Sequence, residues 1–391
     1  MSDVAGDMKV TGKSVQRWFE IALFEHWSAH PHGIARVTQK LFQASLVDLP
    51  YQYFYFHPLL EEFVVPADKT FFVSLAEGQA CYDVAHLPPG AALGSDFQAQ
   101  VNDVVFTGCS WEYPAYVSNV RSLRKQARLG TLAVLVYDLI AIHHPHFFMK
   151  EFGERVGANL VDMLSACDHA VCISESTRSD VKAIAAPDKT SAVFRLGEDL
   201  PMRAPRAVAS RPYVLCVGTV EVRKNHVLLY WVWQKLVQRH GKDCPRLVIV
   251  GRIGWLASDV AELMVRDPLT RDYIEIRSNV DDGELAQLYE SSMFTVYPSH
   301  YEGYGLPVSE SLNIGRLCVT SDASSLPEIN PFPELMFDPS DPDAALQIME
   351  RLISNPELVA GYERLIAQVY VRQSWAASVR DFDVATFGVI Q

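Results

Sequence analysis

The most restrictive feature of this sequence is an alternation of strand-like and helix-like segments that runs through the chain twice. The strand-like segments are short, rich in valine, isoleucine, phenylalanine and tyrosine, and bounded by polar residues, glycine or proline. In the first half they are Trp18–Phe24, Tyr51–His57, Asp103–Thr107, Thr131–Asp138, His169–Ile173 and Ala192–Leu196. In the second half they are Tyr213–Val217, Arg246–Val250, Tyr273–Arg277, Phe294–Tyr297, Leu317–Thr320 and Leu335–Phe337. Helix-like segments include Tyr116–Leu129, Glu151–Ala166, Asn225–His240, Ala257–Arg266, Gly283–Ser291 and Leu306–Ile314. This alternation predicts an α/β fold with parallel sheets covered by helices on both faces.

The alternation restarts after Leu200–Pro212, a proline- and arginine-rich stretch with little apolar periodicity that is typical of a linker. A chain of 391 residues also exceeds what one hydrophobic core usually supports. We therefore predict a first Rossmann-like domain over 1–200 and a second over 201–372. Two such domains in tandem place a cleft between the carboxyl ends of their sheets, where ligands of this fold class bind. The last stretch, Asp341–Phe387, is predicted to be helical, with Ser374 capping its final helix.

Composition and apolar runs exclude several classes of protein. The net charge of −13 at pH 7 disfavours nonspecific binding to nucleic acid. Met1–Lys13 lacks the apolar region of a secretory signal, and the longest apolar run, Thr131–Ile142, is too short to cross a membrane. The seven cysteines have no metal-ligand spacing. Four of them lie in or beside strand-like runs, which indicates buried reduced thiols: Cys109, Cys172, Cys216 and Cys318. These features predict a cytoplasmic protein.

The segment Ser299–Glu310 carries the strongest functional signal. It follows the strand-like run Phe294–Tyr297 and reads Ser-His-Tyr-Glu-Gly-Tyr-Gly-Leu-Pro-Val-Ser-Glu. Its glycines permit a tight backbone and Pro307 suits the first turn of a helix, so backbone N–H groups are predicted to bind a phosphate there. Glu302 in the loop and Glu310 inside the helix can face one cleft. Sugar and ribose hydroxyls are suitable partners for such carboxylates.

A second signal lies at Gly218–Asn225, where a strand is followed by Arg223 and Lys224 before a helix. Two cations beside the positive end of a helix require an anion or solvent, and a bound diphosphate would neutralise them. A solvated basic loop is the alternative interpretation.

Two weaker signals lie in the first half. Gly33, within His30–Arg36, precedes a helix at the mouth of the first predicted sheet. Asp138 closes a strand at the end of the sheet where α/β sites usually lie. Asp138, or His143 or His144 nearby, could orient an acceptor hydroxyl or take its proton. An ordinary structural role also fits each of these residues, so both interpretations stay open.

Together these residues resemble glycosyltransferase family 4, whose GT-B fold has two facing Rossmann-like domains. The hallmark of that family is two glutamates separated by seven residues, which Glu302 and Glu310 match. Other segments that fit the family, or its mannosyltransferase-like branch that builds bacterial surface polysaccharides, are Gly218–Asn225, Ser324–Glu328, Gly33–Arg36 and Asp138. The resemblance implies that a terminal helix, 373–391, crosses back onto the first domain.

The resemblance also implies roles for individual residues. Nucleotide contacts are expected from Glu310, which should hold the ribose, and from Gly218 and Val280. Diphosphate contacts are expected from Gly33, Arg223 and Lys224. Donor-sugar contacts are expected from Glu302, Gly303, Tyr304, Gly305 and Leu306. The expected catalytic residues are Glu302, Asp138, Tyr137 and His143.

One position departs from the branch. Tyr137 stands where a histidine usually precedes the aspartate. Tyrosine can donate a hydrogen bond but does not carry charge near neutral pH, so the local mechanism is in question, and His143 or His144 could compensate.

The mechanism implied by the resemblance is a front-face displacement with retention at the anomeric carbon. Arg223, Lys224 and the helix N-terminus would stabilise the leaving diphosphate. The nucleotide sugar is a substrate, so no cofactor and no metal are expected. Asp341-Pro-Asp343 and Asp381-Phe-Asp383 superficially match a metal motif of another glycosyltransferase fold, but they lie late in the chain and are interpreted as helix-start or surface acids.

The sequence leaves the donor and acceptor open. GDP-mannose is the first choice by resemblance, with UDP- or dTDP-sugars as alternatives, and the acceptor is a saccharide or lipid-linked saccharide. A nucleotide-sugar epimerase, a phosphorylase or disaccharide synthase on the same fold, and a non-catalytic assembly partner are the other hypotheses. Four cations at helical spacing could contact anionic lipid or form an ordinary solvated face: Arg121, Arg124, Lys125 and Arg128.

Overall fold

The computed structural model describes residues 15–22, 24–27, 33–93, 97, 101–108, 113–126, 129–198 and 211–388. The predictions for Met1–Lys13, residues 30–32, Cys109, Arg128 and most of Leu200–Pro212 lie outside the described residues.

The first sheet has eight strands in the order β4-β3-β2-β1-β5-β6-β7-β8. The strands are Gln16–Glu20 (β1), Gln52–His57 (β2), Glu62–Pro66 (β3), Gly90–Ala92 (β4), Asn102–Phe106 (β5), Leu129–Val136 (β6), His169–Cys172 (β7) and Thr190–Val193 (β8). The helices are Gly33–Asp48 (α1), Thr70–Ala76 (α2), Pro114–Gln126 (α3), Ile140–His143 (α4), Lys150–Ala166 (α5) and Glu175–Ile184 (α6). The six predicted strands are confirmed, with ends shifted by a few residues. The expectation of a parallel sheet is wrong at one edge, where β3 and β4 pair antiparallel. Neither strand is among the predicted ones, and β4 has three exposed residues without apolar alternation.

Both faces of the first sheet are buried, which explains why its strands read as continuous apolar runs. In β6, Leu132 and Val134 point into one core cluster, while Ala133 and Leu135 point into the other. Successive side chains of a strand alternate between the faces, so a strand covered on both sides must be apolar throughout.

The second sheet is parallel throughout, in the order β11-β10-β9-β12-β13-β14. Its strands are Tyr213–Val217 (β9), Arg246–Val250 (β10), Ile274–Arg277 (β11), Thr295–Tyr297 (β12), Cys318–Ser321 (β13) and Met336–Phe337 (β14). The helices are His226–His240 (α7), Ser258–Arg266 (α8), Asp282–Ser291 (α9), Leu306–Ile314 (α10), Leu326–Ile329 (α11), Pro342–Ile353 (α12), Pro356–Val369 (α13) and Trp375–Phe387 (α14). All six predicted strands of this half are confirmed.

The last helix, α14, packs on the first sheet rather than the second. Its Phe382 ring lies 6.0 Å from that of Phe19 and 5.1 Å from that of Phe194. Ser374 caps the helix as predicted, since its hydroxyl accepts the N–H of Ala377 at 3.1 Å.

The interpretation of Asp383 as a helix-start or surface acid is wrong. Its carboxylate is buried, and it accepts two hydrogen bonds from Arg17 at 2.7 and 2.9 Å and one from the Tyr51 hydroxyl at 2.7 Å. Asp341 does start a helix, because its carboxylate accepts the N–H groups of Asp343 and Ala344.

Two of the cations on the basic face of α3 form ion pairs within the protein. Arg121 pairs with Asp162 at 2.9 Å, and Arg124 pairs with Asp168 at 2.5 Å. These contacts weaken the case for a lipid-binding face. Within the described part of the chain, every helix is too short or too polar to traverse a bilayer.

Candidate functional site

The loop after β12 has the local structure that its sequence predicts. Gly305, at φ +124°, adopts a conformation that favours glycine, and Pro307 lies in the first turn of α10. Two serines fix the loop backbone. The N–H of Glu302 donates to the Ser324 hydroxyl at 2.7 Å, and the Ser325 hydroxyl donates to the Glu302 carbonyl at 3.0 Å. The Glu302 side chain is therefore presented from a rigid turn.

The carboxylate of Glu302 bridges the two cations of the basic loop. Its Oε2 lies 2.6 Å from Arg223 Nη1, and its Oε1 lies 2.6 Å from Lys224 Nζ. Arg223 also pairs with Glu221 at 2.7 Å and donates to the Tyr301 carbonyl at 2.8 Å. The structure thus joins the predicted diphosphate-binding cations to the predicted sugar-binding carboxylate in one buried cluster.

The charges of this cluster stabilise one another. Burial alone would raise the pKa of Glu302, but Arg223 and Lys224 outweigh it and lower that pKa to about 2. Burial lowers the pKa of Lys224 although Glu302 opposes the change. Burial also lowers the pKa of Arg223, but Glu302 and Glu221 outweigh this effect, so the pKa of Arg223 is raised. Arginine and lysine carry several N–H donors each, so both cations can pair with Glu302 and still donate to a phosphate.

Glu310 lies at a second position, against the first domain. Its Oε1 is 2.6 Å from Arg36 Nη1, and its Oε2 accepts a hydrogen bond from the Tyr289 hydroxyl at 3.0 Å. Arg36 belongs to α1, and Tyr289 to α9. Burial raises the pKa of Glu310, and Arg36 partly opposes that rise. The two glutamates of the motif are therefore held by different cations.

Asp138 lies where the two domains touch, beside the loop 298–305, which is called the donor loop for its predicted role. A Cβ added to Gly303 would lie 2.0 Å from the Tyr137 carbonyl oxygen and 3.0 Å from the Asp138 Cβ. Asp138 follows β6, and its Oδ1 accepts the N–H of Ile140 at 3.1 Å. Burial raises the pKa of Asp138, while Arg223 opposes the rise. Asp138 therefore lies beside Gly303 at the end of its strand, and its catalytic role stays a prediction.

The Tyr137 side chain is held inside the first domain. Its hydroxyl donates to the Thr107 carbonyl at 2.6 Å, and the ring is buried. Its carbonyl oxygen lies next to Gly303, and the catalytic role expected of the residue stays a prediction.

His143 reaches the donor loop only through other side chains. Its Nε2 lies 3.7 Å from Asp180, which also binds the hydroxyl of Tyr301. Tyr301 directly precedes Glu302, so His143 is placed to influence the loop from outside the cation cluster.

Of the remaining predicted residues, two are glycines with a positive φ and three have side chains that pack on a hydrophobic core. Gly33, at φ +55°, begins α1, and Gly218, at φ +146°, follows β9. Val280 packs on a core cluster of the second domain. The side chains of Tyr304 and Leu306 pack against the first-domain core, so these two residues can offer a donor only their backbone.

One contact between the domains has no signal in the sequence. Glu328, in the second domain, accepts the N–H groups of Glu175 at 2.8 Å and Ser176 at 2.7 Å, at the start of α6 in the first domain. A carboxylate is favourable at the positive end of a helix. The Ser324–Glu328 segment stands out in the sequence, but the partner of Glu328 lies 152–153 positions away.

Glu20 is a second residue that the sequence did not reveal. It ends β1 and is fully buried, and its carboxylate accepts hydrogen bonds from the Tyr116 hydroxyl at 2.6 Å and the Thr107 N–H at 3.0 Å. Burial raises its pKa from 4.5 to about 7. The carbonyl of Thr107 also accepts a hydrogen bond from the Tyr137 hydroxyl. Glu20 therefore supports the ends of the strands next to Asp138.

The raised pKa of Glu20 makes stability depend on pH. As pH rises from about 4.5 to about 7, the unfolded chain releases this proton while the folded chain keeps it, so folded stability falls through that window. As pH rises through this window, we expect Glu20→Gln to become more stable relative to the wild type. The difference in the free energy of unfolding should grow by up to about 3 kcal/mol, since one pKa unit corresponds to about 1.4 kcal/mol. Urea unfolding at both ends of the window measures the difference. Glu77→Gln, at an exposed position, is the control and should shift little; an equal Glu20→Gln effect at both pH values would contradict the assignment.

Among the described residues, no group of three or more histidine, cysteine, aspartate or glutamate side chains is arranged to hold a metal ion.

Comparison with known proteins finds a family match to the second-domain part of this site. Residues 202–368 match the family model of glycosyl transferases group 1. The serotype-specific mannosyltransferase WbdA of Escherichia coli is 28% identical over 220 residues, which cover 51% of this chain and 26% of that protein. The O-antigen chain mannosyltransferase B of Escherichia coli is 27% identical over 245 residues, covering 60% of this chain and 64% of that protein. The matches therefore span less than two thirds of either relative.

Two solved structures are similar over nearly the whole chain. Sucrose-phosphate synthase from Thermosynechococcus elongatus has a TM-score of 0.66 at 16% identity and covers 94% of this chain and 97% of its own. HepE of Anabaena, in complex with UDP and glucose, has a TM-score of 0.64 at 14% identity and covers 94% of this chain and 98% of its own. At these low sequence identities the structural similarity is evidence for the fold alone. The predicted GT-B fold, with two Rossmann-like domains, is confirmed.

Proposed function

We propose that this chain is a retaining glycosyltransferase of family 4 that moves a hexose from a nucleotide sugar to a saccharide or lipid-linked saccharide in polysaccharide, O-antigen or exopolysaccharide assembly. The observation that carries the proposal is the Glu302 carboxylate held between Arg223 and Lys224 directly before α10. That arrangement offers cations and helix N–H groups to a diphosphate, and a carboxylate to sugar hydroxyls. The match to residues 202–368 includes all of these groups and supports the proposal.

GDP-mannose is the proposed donor. Both Escherichia coli relatives are named mannosyltransferases, and the second matches 60% of this chain. A UDP-sugar is the alternative, because the similar Anabaena structure was solved with UDP and glucose. In this proposal the cation cluster contacts the diphosphate and the sugar but not the nucleotide base. A GDP-sugar and a UDP-sugar would therefore react by the same mechanism.

In the proposed reaction an acceptor oxygen bonds to the anomeric carbon on the face from which the diphosphate leaves. The acceptor proton passes to the departing phosphate oxygen, so charge and atoms balance. Arg223, Lys224 and the N–H groups at the start of α10 stabilise the negative charge that develops on the diphosphate. Glu302 holds donor-sugar hydroxyls, and Asp138 orients the acceptor across the contact with Gly303. These groups supply the positive charge without a metal ion.

Thermal unfolding in the presence of GDP, UDP and dTDP tests the proposal. A nucleotide at a hundred times its Kd stabilises the fold by about 2.7 kcal/mol, so we expect one of the three to raise Tm by about 2–4 °C or more. Lys224→Gln should lose most of that rise. Lys242→Gln, at an exposed position of the same domain, should keep it. If none of the three nucleotides stabilises the wild type, the donor site is assigned wrongly.

A further inference from the structure

Arg36 lies where its charge needs a partner from the other domain. It is in the first turn of α1, which has no acidic residue there. A cation near the positive end of a helix is unfavourable unless an anion balances it. The anion is Glu310 of the second domain, 2.6 Å away and 274 positions along the chain. Only 11% of the Arg36 side chain and 5% of the Glu310 side chain are exposed, so the pair is shielded from salt and solvent.

The pair leaves Glu310 able to accept more hydrogen bonds. Within the described ranges, Arg36 occupies Oε1 and the Tyr289 hydroxyl occupies Oε2, one partner on each oxygen. A carboxylate has about four acceptor positions. The free positions can take two neighbouring hydroxyls of a ribose, in an orientation that Arg36 and Tyr289 fix.

The surroundings of Glu310 make Arg36 important for its charge. Burial raises the Glu310 pKa, and Asp282 raises it further; Arg36 and Tyr289 lower it. Glu198, from the segment between the domains, is also close enough to repel it. Arg36 is the cation that opposes these effects, so its loss would favour the protonated carboxyl, which offers a donor where two hydroxyls need acceptors.

We propose that Arg36 is a positioning residue for the donor: it keeps Glu310 ionised and oriented for the ribose, and it does so only while the first domain lies against the second. This inference rests on the proposed function and deepens it. It links nucleotide recognition in the second domain to domain closure through one side chain of α1.

The experiment compares binding of a ribonucleoside diphosphate with binding of its 2′,3′-dideoxy counterpart. The nucleotide is the one that stabilises the wild type, and Kd is measured by calorimetry on the full chain at about pH 6 and about pH 8.5. The wild type should prefer the ribonucleotide by about tenfold or more at both pH values, since hydrogen bonds to a charged group are strong. Arg36→Gln should prefer it by about twofold or less, and raising the pH should restore part of the preference, because a higher pH favours the ionised carboxylate.

Two further variants separate positioning from folding. Arg36→Lys restores the charge and should keep most of the ribose preference. Arg17→Gln removes a similarly buried ion pair, that with Asp383, away from Glu310, and should keep all of it. An unchanged preference in Arg36→Gln overturns the inference and leaves the proposed function standing. Equal weakening of both nucleotides also overturns it, because Arg36 would then act on the phosphates. If the wild type binds no nucleoside diphosphate, the proposed function fails and the inference with it.

Discussion

Glu302→Gln is expected to lower turnover by about a thousandfold, the scale on which single electrostatic contacts in active sites act. The amide keeps the size of the side chain but removes the charge that Arg223 and Lys224 share at 2.6 Å each. Initial rates with a nucleotide sugar and a saccharide acceptor measure the loss.

The same variant should reveal what the cations bind. Breaking a buried ion pair costs about 3–5 kcal/mol, so the variant should unfold at lower urea concentrations than the wild type. A nucleoside diphosphate supplies the missing negative charge, and it should therefore stabilise Glu302→Gln more than it stabilises the wild type. Loss of turnover with retained or tighter nucleotide binding would separate a role in transfer from a role in folding.

Glu221→Gln is the matched control for Glu302→Gln. Glu221 pairs with the same Arg223 at 2.7 Å and is similarly buried. Glu221→Gln breaks one buried ion pair, so we expect a similar loss of stability. The substitution leaves Glu302 between its two cations, so we expect turnover within about tenfold of the wild type. Wild-type turnover in Glu302→Gln would remove that carboxylate from the mechanism.

The elements of the second domain could be predicted because their signals are local. The ends of α10 follow from Gly305, which takes a positive φ, from Pro307 in its first turn and from Gly315 at its end. Strands β9 and β10 are unbroken apolar runs, and their predicted bounds match those observed. Each signal lies within a few residues of the feature it specifies.

The missed features depend on partners far along the chain. Arg36 and Glu310 are 274 positions apart, and Arg17 and Asp383 are 366 apart. A charged residue looks the same in sequence whether it is solvated or buried in a pair, which is why Asp383 was assigned to the surface. The partner of Tyr137 is hidden in the same way, since the sequence shows a hydroxyl at a strand end but not the carbonyl of Thr107 that accepts from it.

Gly303→Ala tests whether the domains must meet at the donor loop. The new Cβ would lie 2.0 Å from the Tyr137 carbonyl oxygen, far inside van der Waals contact, and the obstacle is backbone that cannot rotate away. The three atoms nearest to the new Cβ all belong to Tyr137 and Asp138, so the clash lies across the domain boundary. We therefore expect the domains to be held apart and turnover to fall by about a hundredfold or more, since small displacements of reacting groups are costly. Solution scattering should show a larger radius of gyration.

Nucleotide binding distinguishes this outcome from general damage. Arg223, Lys224 and Glu310 stay in the second domain, so the nucleoside diphosphate should still bind Gly303→Ala, with its ribose preference reduced because Arg36 no longer reaches Glu310. Gly361→Ala makes the same substitution inside α13, where the nearest atom to the new Cβ is 3.9 Å away. It should keep full turnover and gain up to about 1 kcal/mol of stability. If Gly303→Ala instead turns over like Gly361→Ala, transfer does not require the contact between Gly303 and Tyr137, and the acceptor role proposed for Asp138 beside it loses its structural basis.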